Sequence, residues 1–568
     1  MNTRWIQGPA VDTAAVTACA GGLGLPRAAV EILARRGLTD PEDVKRFLRP
    51  HLGQLHPPQR MLGMSAAAER LALAVERAEP VLVYGDYDVD GITSAVLLTR
   101  ALRECGGRVD WFIPHRIEHG YGLGAAGLGE VVQRAPKLLI CCDCGIGSLV
   151  EIRRARELGI DVIVADHHEP GIRLPDATAV LDPKQPGCDY PERGLAAVGV
   201  VFKLCEALYA RLGRERKELY RYLDLVALGT IADVAPAVGE NRVFMRFGLR
   251  QLERTLNPGL RALLDLTGLA GRPLTASDVG FVLAPRINAV GRMGAATAGA
   301  QLLLTDDAGE AARLAQVLEG ENHARRDADR RTLEDARSRL KDFDPADEVC
   351  IVLASAEWHP GVVGIVASRL VEQFYRPVVL VALGPDGRGK GSARSIEGFH
   401  LHRALSACAD HLLEFGGHAV AAGLRIEGSR LAGFHAAFEA HARSTLAPET
   451  LVRELRIDLE LGPLDGFPEL YNVLQHFAPF GPGNGRPVLS ASQLQLVGYP
   501  RIVGQDHVRL RVSRDGHALE TIGFRMAARL QDVNPAAGPL AIAFTLEVDD
   551  YTGRGELQGR LLDFRSTP

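Results

Sequence analysis

Four short apolar runs, each closing on a turn or an acidic residue, constrain this chain more than any other feature. PVLVYGD, VDWFIP, KLLICCD and IDVIVAD fall between about Leu71 and Leu181, separated by stretches of helical period. A compact apolar run without alternation suits a strand buried on both faces, and helices between such strands are what a parallel sheet requires. In an open parallel sheet the carboxyl ends of neighbouring strands share one crevice, where ligands bind.

The acids at these strand ends form a pattern of their own. VLVYGDYDVDGITSAVLL runs from Val81 through Tyr84 into Asp86, Asp88 and Asp90, then Gly91 and a helix. Alternate residues of an extended segment project to one side, so the three carboxylates converge. Convergent carboxylates repel unless cations neutralise them or protons are retained, and hard ions such as Mg²⁺ and Mn²⁺ prefer such oxygen ligands. Taken alone, the motif also reads as an acidic turn in which Asp90 or Thr93 caps a helix. KLLICCDCG, however, places Asp143 at a second strand end, and IDVIVADHHEPG places Asp166, His167 and His168 at a third. A fourth apolar stretch, LDLVALGTIADVAP, ends at Asp233 before Pro236. Acids and imidazoles delivered by several elements to one edge make a ligand set suited to two metal ions.

The rest of the chain divides by its periodicity. Residues 1–70 read as a helical segment: in RRGLTDPEDVKRFLRP, Thr39 or Asp40 caps, Pro41 takes the first turn, and Val44, Phe47 and Leu48 make the apolar stripe. Residues 71–306 are the parallel-sheet lobe, and 307–342 are a charged connecting helix. A second α/β lobe follows at 343–448, with EVCIVLAS and PVVLVAL as strands and VVGIVASRLVEQF as a helix. From 449 to 568 the pattern is β-rich. HVRLRVS sets Val508, Leu510 and Val512 against Arg509, Arg511 and Ser513, and a C-terminal β-barrel of OB type is the economical reading. The expected class is α/β, with two α/β lobes joined by a long helix and followed by that barrel.

A net charge of −5 over 568 residues gives no global basic field, so a nucleic-acid partner would be drawn to local grooves. Nine cysteines without a regular framework suggest reduced thiols. MNTRWIQGPAVD has no basic stretch leading into an apolar run, and apolar runs elsewhere are too short to span a bilayer. A soluble cytoplasmic protein, without a membrane partner, is expected.

GDYDVDG, CDCG, DHHEPG and GTIADVAP, in this order, resemble the four phosphoesterase motifs of the DHH superfamily. APRINAVGRMG, WHPGVVGIVASRL, GSARSI and GGHAVAAG resemble its RecJ-type exonucleases and their DHH-associated second lobe, and LQHFAPFGPGNGRPV resembles the entry to their OB domain. The resemblance implies a 5′→3′ exonuclease that degrades single-stranded DNA to mononucleotides in repair and recombination. It implies two Mn²⁺ or Mg²⁺ ions on Asp88, Asp90, Asp143, His167 and Asp233, with Asp143 bridging. Asp86 would orient ligands or bind through water, and His168 would contact the scissile phosphate. In superfamily phosphatases a His often stands four residues before the first Asp of the pair; here Tyr84 stands there, and Asp86 or water would complete the shell.

The second lobe would hold the terminal 5′-phosphate and nearby backbone through Ser392 and Arg394 of GSARS and Gly416, Gly417 and His418 of GGH. Arg116 and Tyr121 of PHRIEHGYG are candidates for phosphate contact and base stacking, and PRINAVGR adds Arg286, Asn288 and Arg292. Single-stranded DNA is the implied partner of a monomeric enzyme, with a single-strand-binding protein and a helicase as implied neighbours.

Two motifs are set aside. Gly122, Gly124 and Gly127 have dinucleotide-binding spacing, but no strand leads into them. Cys141, Cys142 and Cys144 have no second pair at zinc spacing and read as buried strand thiols. Two rival functions account for less of the chain. A DHH enzyme of short oligonucleotides or other small phosphoesters leaves 449–568 unused, and a non-catalytic DNA-binding scaffold has no need of intact acidic motifs.

Overall fold

The computed structural model describes residues 3–115, 119–120, 122–293, 296–345, 347–462, 466–532, 538–549 and 555–566. The chain forms two compact units, Leu52–Leu451 and a discontinuous one made of Met1–His51 with Val452–Pro568.

The larger unit opens with a parallel five-stranded sheet. Its strands are β1 (Val81–Gly85), β2 (Val109–Phe112), β3 (Leu138–Cys142), β4 (Asp161–Ala165) and β5 (Ala179–Leu181), in the order β2-β1-β3-β4-β5. β1 and β3 are buried throughout, because apolar packing covers both faces. Val81, Val83, Leu138 and Ile140 lie in a core with helices α1 (Val89–Glu104) and α2 (Ala197–Arg211). Leu82, Tyr84, Leu139 and Cys141 pack on the other face with Leu123, Val131 and Ile152.

Register then does something that the apolar runs alone do not state. Gly85 pairs with Cys142, Cys142 with Ala165, and Ala165 with Leu181. The next residues, Asp86, Asp143, Asp166 and Asp182, therefore stand in one row across the carboxyl edge. The amides of Asp86, Asp143 and Asp166 extend the ladder by donating to the carbonyls of Cys142, Ala165 and Leu181 at 3.2, 2.9 and 2.9 Å.

Further helices complete this lobe, among them α3 (Leu223–Ala232) and α4 (Ala284–Met293). The 32-residue helix α5 (Ala308–Arg339) leads to the second lobe. Its first half gives Ala311, Leu314, Ala315 and Leu318 to the first lobe's core; its second half gives Leu333 and Ala336 to a cluster with helix α6 (Val363–Phe374). Between them, Asp329 on α5 pairs with Arg369 on α6 at 2.9 Å. The second sheet contains β6 (Ile351–Ser355), β7 (Val378–Leu383), β8 (Arg388–Arg394), β9 (Leu412–Gly417) and β10 (Ala421–Glu427), in the order β9-β10-β8-β7-β6.

The smaller unit is a seven-stranded sheet in which Leu489–Leu496 also pairs with His507–Arg514, closing it towards a barrel. Val508, Leu510 and Val512 are fully buried, as their alternation with polar residues predicts. The N-terminal helices share this core: Val30, Ile32, Leu33 and Val44 pack with Phe477, Leu489 and Phe544. Asp40 caps the helix Pro41–Leu48, accepting from the amides of Glu42 and Asp43. Among the described residues no helix is long and apolar enough to cross a membrane, and all nine cysteines are free thiols.

Candidate metal centre

The acidic loop after β1 is held by contacts that no other sequence at Gly91 would allow. Asp88 is the N-cap of α1, its Oδ1 accepting from the Gly91 amide at 3.0 Å. A Cβ on Gly91 would fall 2.5 Å from the backbone nitrogen of Asp86, closer than non-bonded heavy atoms approach. Asp90 is 1% exposed, and its two oxygens accept from the Ala197 and Val198 amides at 2.8 and 2.9 Å. These are the first amides of α2, where the helix dipole favours a negative charge.

Asp143 follows β3 with φ +62°, a left-handed conformation that Asp tolerates better than most residues. Asp166 follows β4 and organises its neighbours. Its Oδ1 accepts from the amides of His167 and His168 and from His168 Nδ1 at 2.7 Å, while Oδ2 accepts from the Ile146 amide. His167 Nε2 then lies 3.2 Å from Asp143 Oδ1, 3.8 Å from Asp233 Oδ2 and 4.0 Å from Asp90 Oδ2. Asp233 caps the C-terminal end of α3.

Three sets of donor atoms, each within 4.8 Å of one another, emerge: Asp143 with His167 and His168; Asp90 with His167 and Asp233; Asp86 with Asp88 and Asp143. Of the eight acids and imidazoles singled out in the sequence, all but Asp166 appear, and Asp143 and His167 each belong to two sets. Asp86 Oδ1, Asp143 Oδ1 and His167 Nε2 are buried without a hydrogen-bond partner. At 3.2 Å, His167 Nε2 and Asp143 Oδ1 are near enough to bond but not aligned for it. Buried polar atoms left unpaired are costly, and atoms that converge on a point without bonding one another are what a cation requires. The donor set therefore fits divalent ions. No cysteine belongs to these sets among the described residues.

The electrostatics agree. Burial, reinforced by neighbouring carboxylates, pushes Asp86 and Asp143 well above the usual carboxylate range. Burial raises Asp90 to about 7, with Asp233 adding to it, and raises Asp233 to about 7, with Asp88 adding to it. Burial lowers His167, keeping the neutral ring that binds metal. Burial would also lower His168, but the bond to Asp166 outweighs it and lifts His168 to about 9. Asp166 stays below its ordinary value, since the His168 bond overcomes its own desolvation.

Tyr84 occupies the place where a ligand His stands in superfamily phosphatases, but its side chain belongs to the core. It is fully buried, and its hydroxyl donates to the Gly122 carbonyl at 3.0 Å. A Cβ on Gly127 would stand 2.4 Å from that hydroxyl. Of the glycines with dinucleotide-like spacing, Gly127 thus makes room for a core tyrosine and Gly122 accepts its hydroxyl.

Helix α4 braces the acidic loop. Asn288 Oδ1 accepts from the Val89 amide at 3.2 Å, and a Cβ on Gly291 would fall 2.6 Å from the Tyr87 carbonyl oxygen. Arg286 engages Glu319 on α5 at 2.5 Å and the Val282 carbonyl at 2.6 Å. Arg116, Tyr121 and the side chain of Arg292 lie outside the described residues. In the second lobe, Ser392 and Arg394 sit beneath the first turn of α6, 3.2 and 3.0 Å from where a Cβ on Gly364 would stand. Gly417 ends β9 with φ +134°, and the exposed His418 donates its amide to the Ala421 carbonyl at 2.8 Å. A cleft of about 360 Å³ joins the lobes: Tyr87 and Gly120 line one side, and Lys390, Ser392, Gly416 and Arg425 the other. Ser392 and Gly416 are thereby brought to the metal loop, while Arg394, Gly417 and His418 do not line this cleft.

Sequence reasoning missed Asp182 and the organising roles of Asp166 and Asn288. Asp182 ends a run, AVLD, of the same apolar-then-acid form as the other three, and that repetition was the available signal.

A parallel sheet with this acidic edge, joined by a long helix to a second α/β lobe, defines the DHH class of proteins. Residues 80–230 match the DHH family N-terminal domain, 347–444 the DHHA1 domain and 457–563 the RecJ OB domain. The chain is 36% identical over 563 residues to the single-stranded-DNA-specific exonuclease RecJ of Bacillus subtilis, covering 99% of this chain and 70% of that one. It is 35% identical to the Escherichia coli protein of the same name, covering 94% and 95%. The crystal structure of RecJ in complex with Mn²⁺ from Thermus thermophilus superposes with a TM-score of 0.85 at 32% identity, covering all of this chain and 80% of that one. This chain belongs to the RecJ family, as its motifs imply.

Proposed function

We propose that the protein is a metal-dependent exonuclease of single-stranded DNA that cuts 5′→3′ to mononucleotides in repair and recombination. The observation that carries this reading is the convergence of the donor sets, with Asp86 Oδ1, Asp143 Oδ1 and His167 Nε2 buried and unpaired, on a loop whose Tyr87 lines the cleft between the lobes. Asp88, Asp90, Asp143, His167 and Asp233 would hold two Mn²⁺ or Mg²⁺ ions, with Asp143 shared and Asp86 supporting them. Ions bound there supply Lewis acidity and a water acidic enough to yield a nucleophile near neutral pH.

The chain's own residues do the rest. The Asp166 carboxylate fixes the backbone of both histidines through their amides and the ring of His168 through Nδ1. His168, held protonated at neutral pH, offsets charge that develops on the phosphate oxygens. Ser392 and Arg394 offer a hydroxyl and a guanidinium beside the first turn of α6, a favourable seat for a terminal phosphate. A terminal phosphate held there, with the next phosphate at the acidic edge, would confine cutting to the strand's end. Arg116, Tyr121, Arg286, Asn288, Arg292, Gly417 and His418 complete the proposed substrate set, Asn288 by bracing the acidic loop. A 360 Å³ cleft is the size of a small-molecule pocket, which suits a nucleotide rather than a duplex. The OB match at 457–563 supports a single strand as substrate. Strand delivery by a single-strand-binding protein or a helicase, a cytoplasmic setting and action as a monomer belong to the same proposal.

The test is a long single-stranded DNA with a 5′-phosphate, labelled at its end and internally, incubated with Mn²⁺, Mg²⁺ or chelator. Metal-dependent release of mononucleotides from the 5′ end, absent on blunt duplex, is expected. Hydrolysis of dinucleotides alone would overturn the reading.

A further inference from the structure

On the turn that packs against α3, the helix that ends at Asp233, stands an aromatic side chain that neither the core nor the metal chemistry uses. Phe281 is 83% exposed and sits in a π-helical turn, Val279–Leu283, where the Ala284 amide donates back to the Val279 carbonyl. Single exposed apolar residues are ordinary on protein surfaces, but three observations set this one apart. A π-turn is rare and concentrates at functional sites. Its position is specific: a Cβ on the adjacent Gly280 would stand 3.7 Å from Ile231, two residues before Asp233, and the turn runs directly into α4, which braces Tyr87 and Val89. A second exposed apolar residue, Val234 at 65%, follows Asp233 with φ +60°. Two elements that flank the metal edge thus both present apolar surface to solvent.

We propose that Phe281 is the stacking platform for an unpaired base of the strand lying at the metal centre, a positioning residue that also contributes to the choice of single strands. The proposal rests on the nuclease reading above. An aromatic ring accepts any base, because every base has a π-face, and it can do so only where the base is unstacked from a partner strand. Paired bases already stack within a duplex and offer no free face, so the contact rewards single strands alone.

The test compares the full chain with Phe281→Ala and Phe281→Trp. Dissociation constants would be measured for a 5′-phosphorylated oligonucleotide carrying a phosphorothioate at its first linkage, and for a set with one abasic site moved along it. Phe281→Ala is expected to weaken binding of the intact strand by at least about fivefold, with Mn²⁺ affinity and thermal midpoint unchanged. Phe281→Trp should restore binding, and its fluorescence should be quenched by the strand. At one position the abasic site should weaken the wild type by that same factor and the alanine variant not at all, the non-additivity that marks two groups in contact. Unchanged binding in Phe281→Ala, or equal abasic losses in both proteins at every position, would overturn the proposal. Failure of the wild type to degrade the unmodified strand would instead remove the nuclease reading.

Discussion

Asp166 belongs to none of the three donor sets, yet it holds the backbone of both histidines and the ring of His168. One oxygen receives two backbone amides and a ring nitrogen, and the other ties down the Ile146 amide. Partners that orient metal ligands typically matter 10- to 100-fold in affinity or activity. Asp166→Ala is therefore expected to lower Mn²⁺ affinity by about one to two orders of magnitude while circular dichroism stays unchanged; unaltered affinity in calorimetry would contradict this role. Most of the edge was legible residue by residue, because acids after apolar runs are visible in a string. Tyr84 was not: its place in the motif matches a ligand, and only its bond to Gly122 and its packing against Gly127 show that it belongs to the core. Asn288 reads in sequence as a strand contact but spends its carbonyl oxygen on the Val89 amide.

At the scale of elements, the first turn of α1 and the C-terminal end of α3 each bring a titrating carboxylate to the sheet edge. Asp90 and Asp233 reach about 7 without an ion, against about 4 for an unfolded Asp. A raised folded value means that their stabilising contribution is complete below about pH 4 and is lost as pH climbs through about 7. Divalent ions compete with those protons and bind the ionised form. The gain in thermal midpoint on adding Mn²⁺ should therefore grow from about pH 5 to about pH 8, with proton release at the lower end. A gain independent of pH across that window would show that these carboxylates are already ionised. The elements themselves were largely readable: the long charged helix expected over 307–342 spans Ala308–Arg339, and HVRLRVS buries the three residues its alternation selects. Register was not readable. That Gly85, Cys142, Ala165 and Leu181 align is a property of strand pairing, and it recruits Asp182 to a row that no single motif announces.

The whole molecule is less linear than its sequence. The N-terminal helices share a core with the last hundred or so residues, not with the segment that follows them: Val30, Ile32, Leu33 and Val44 pack against Phe477, Leu489 and Phe544, and Arg4–Gln7 pairs with Glu454–Ile457. No local pattern encodes a contact between chain ends. Removing residues 452–568 alone should expose that apolar face and yield aggregated protein, whereas residues 52–451 should stay soluble and retain Mn²⁺ binding. Light scattering on the two truncations distinguishes these outcomes, and equal solubility would argue against a shared core.

One sheet edge is proposed to hold two divalent ions through a shared carboxylate. Calorimetric titration of the full chain with Mn²⁺ tests it most directly, alongside Asp143→Asn, which keeps a residue tolerant of the left-handed backbone at that position. Two ions per chain are expected in the wild type, with both sites weakened together by the single substitution because Asp143 belongs to two of the donor sets. A single ion per chain, or a variant that loses one ion and binds the other with unchanged affinity, would contradict it.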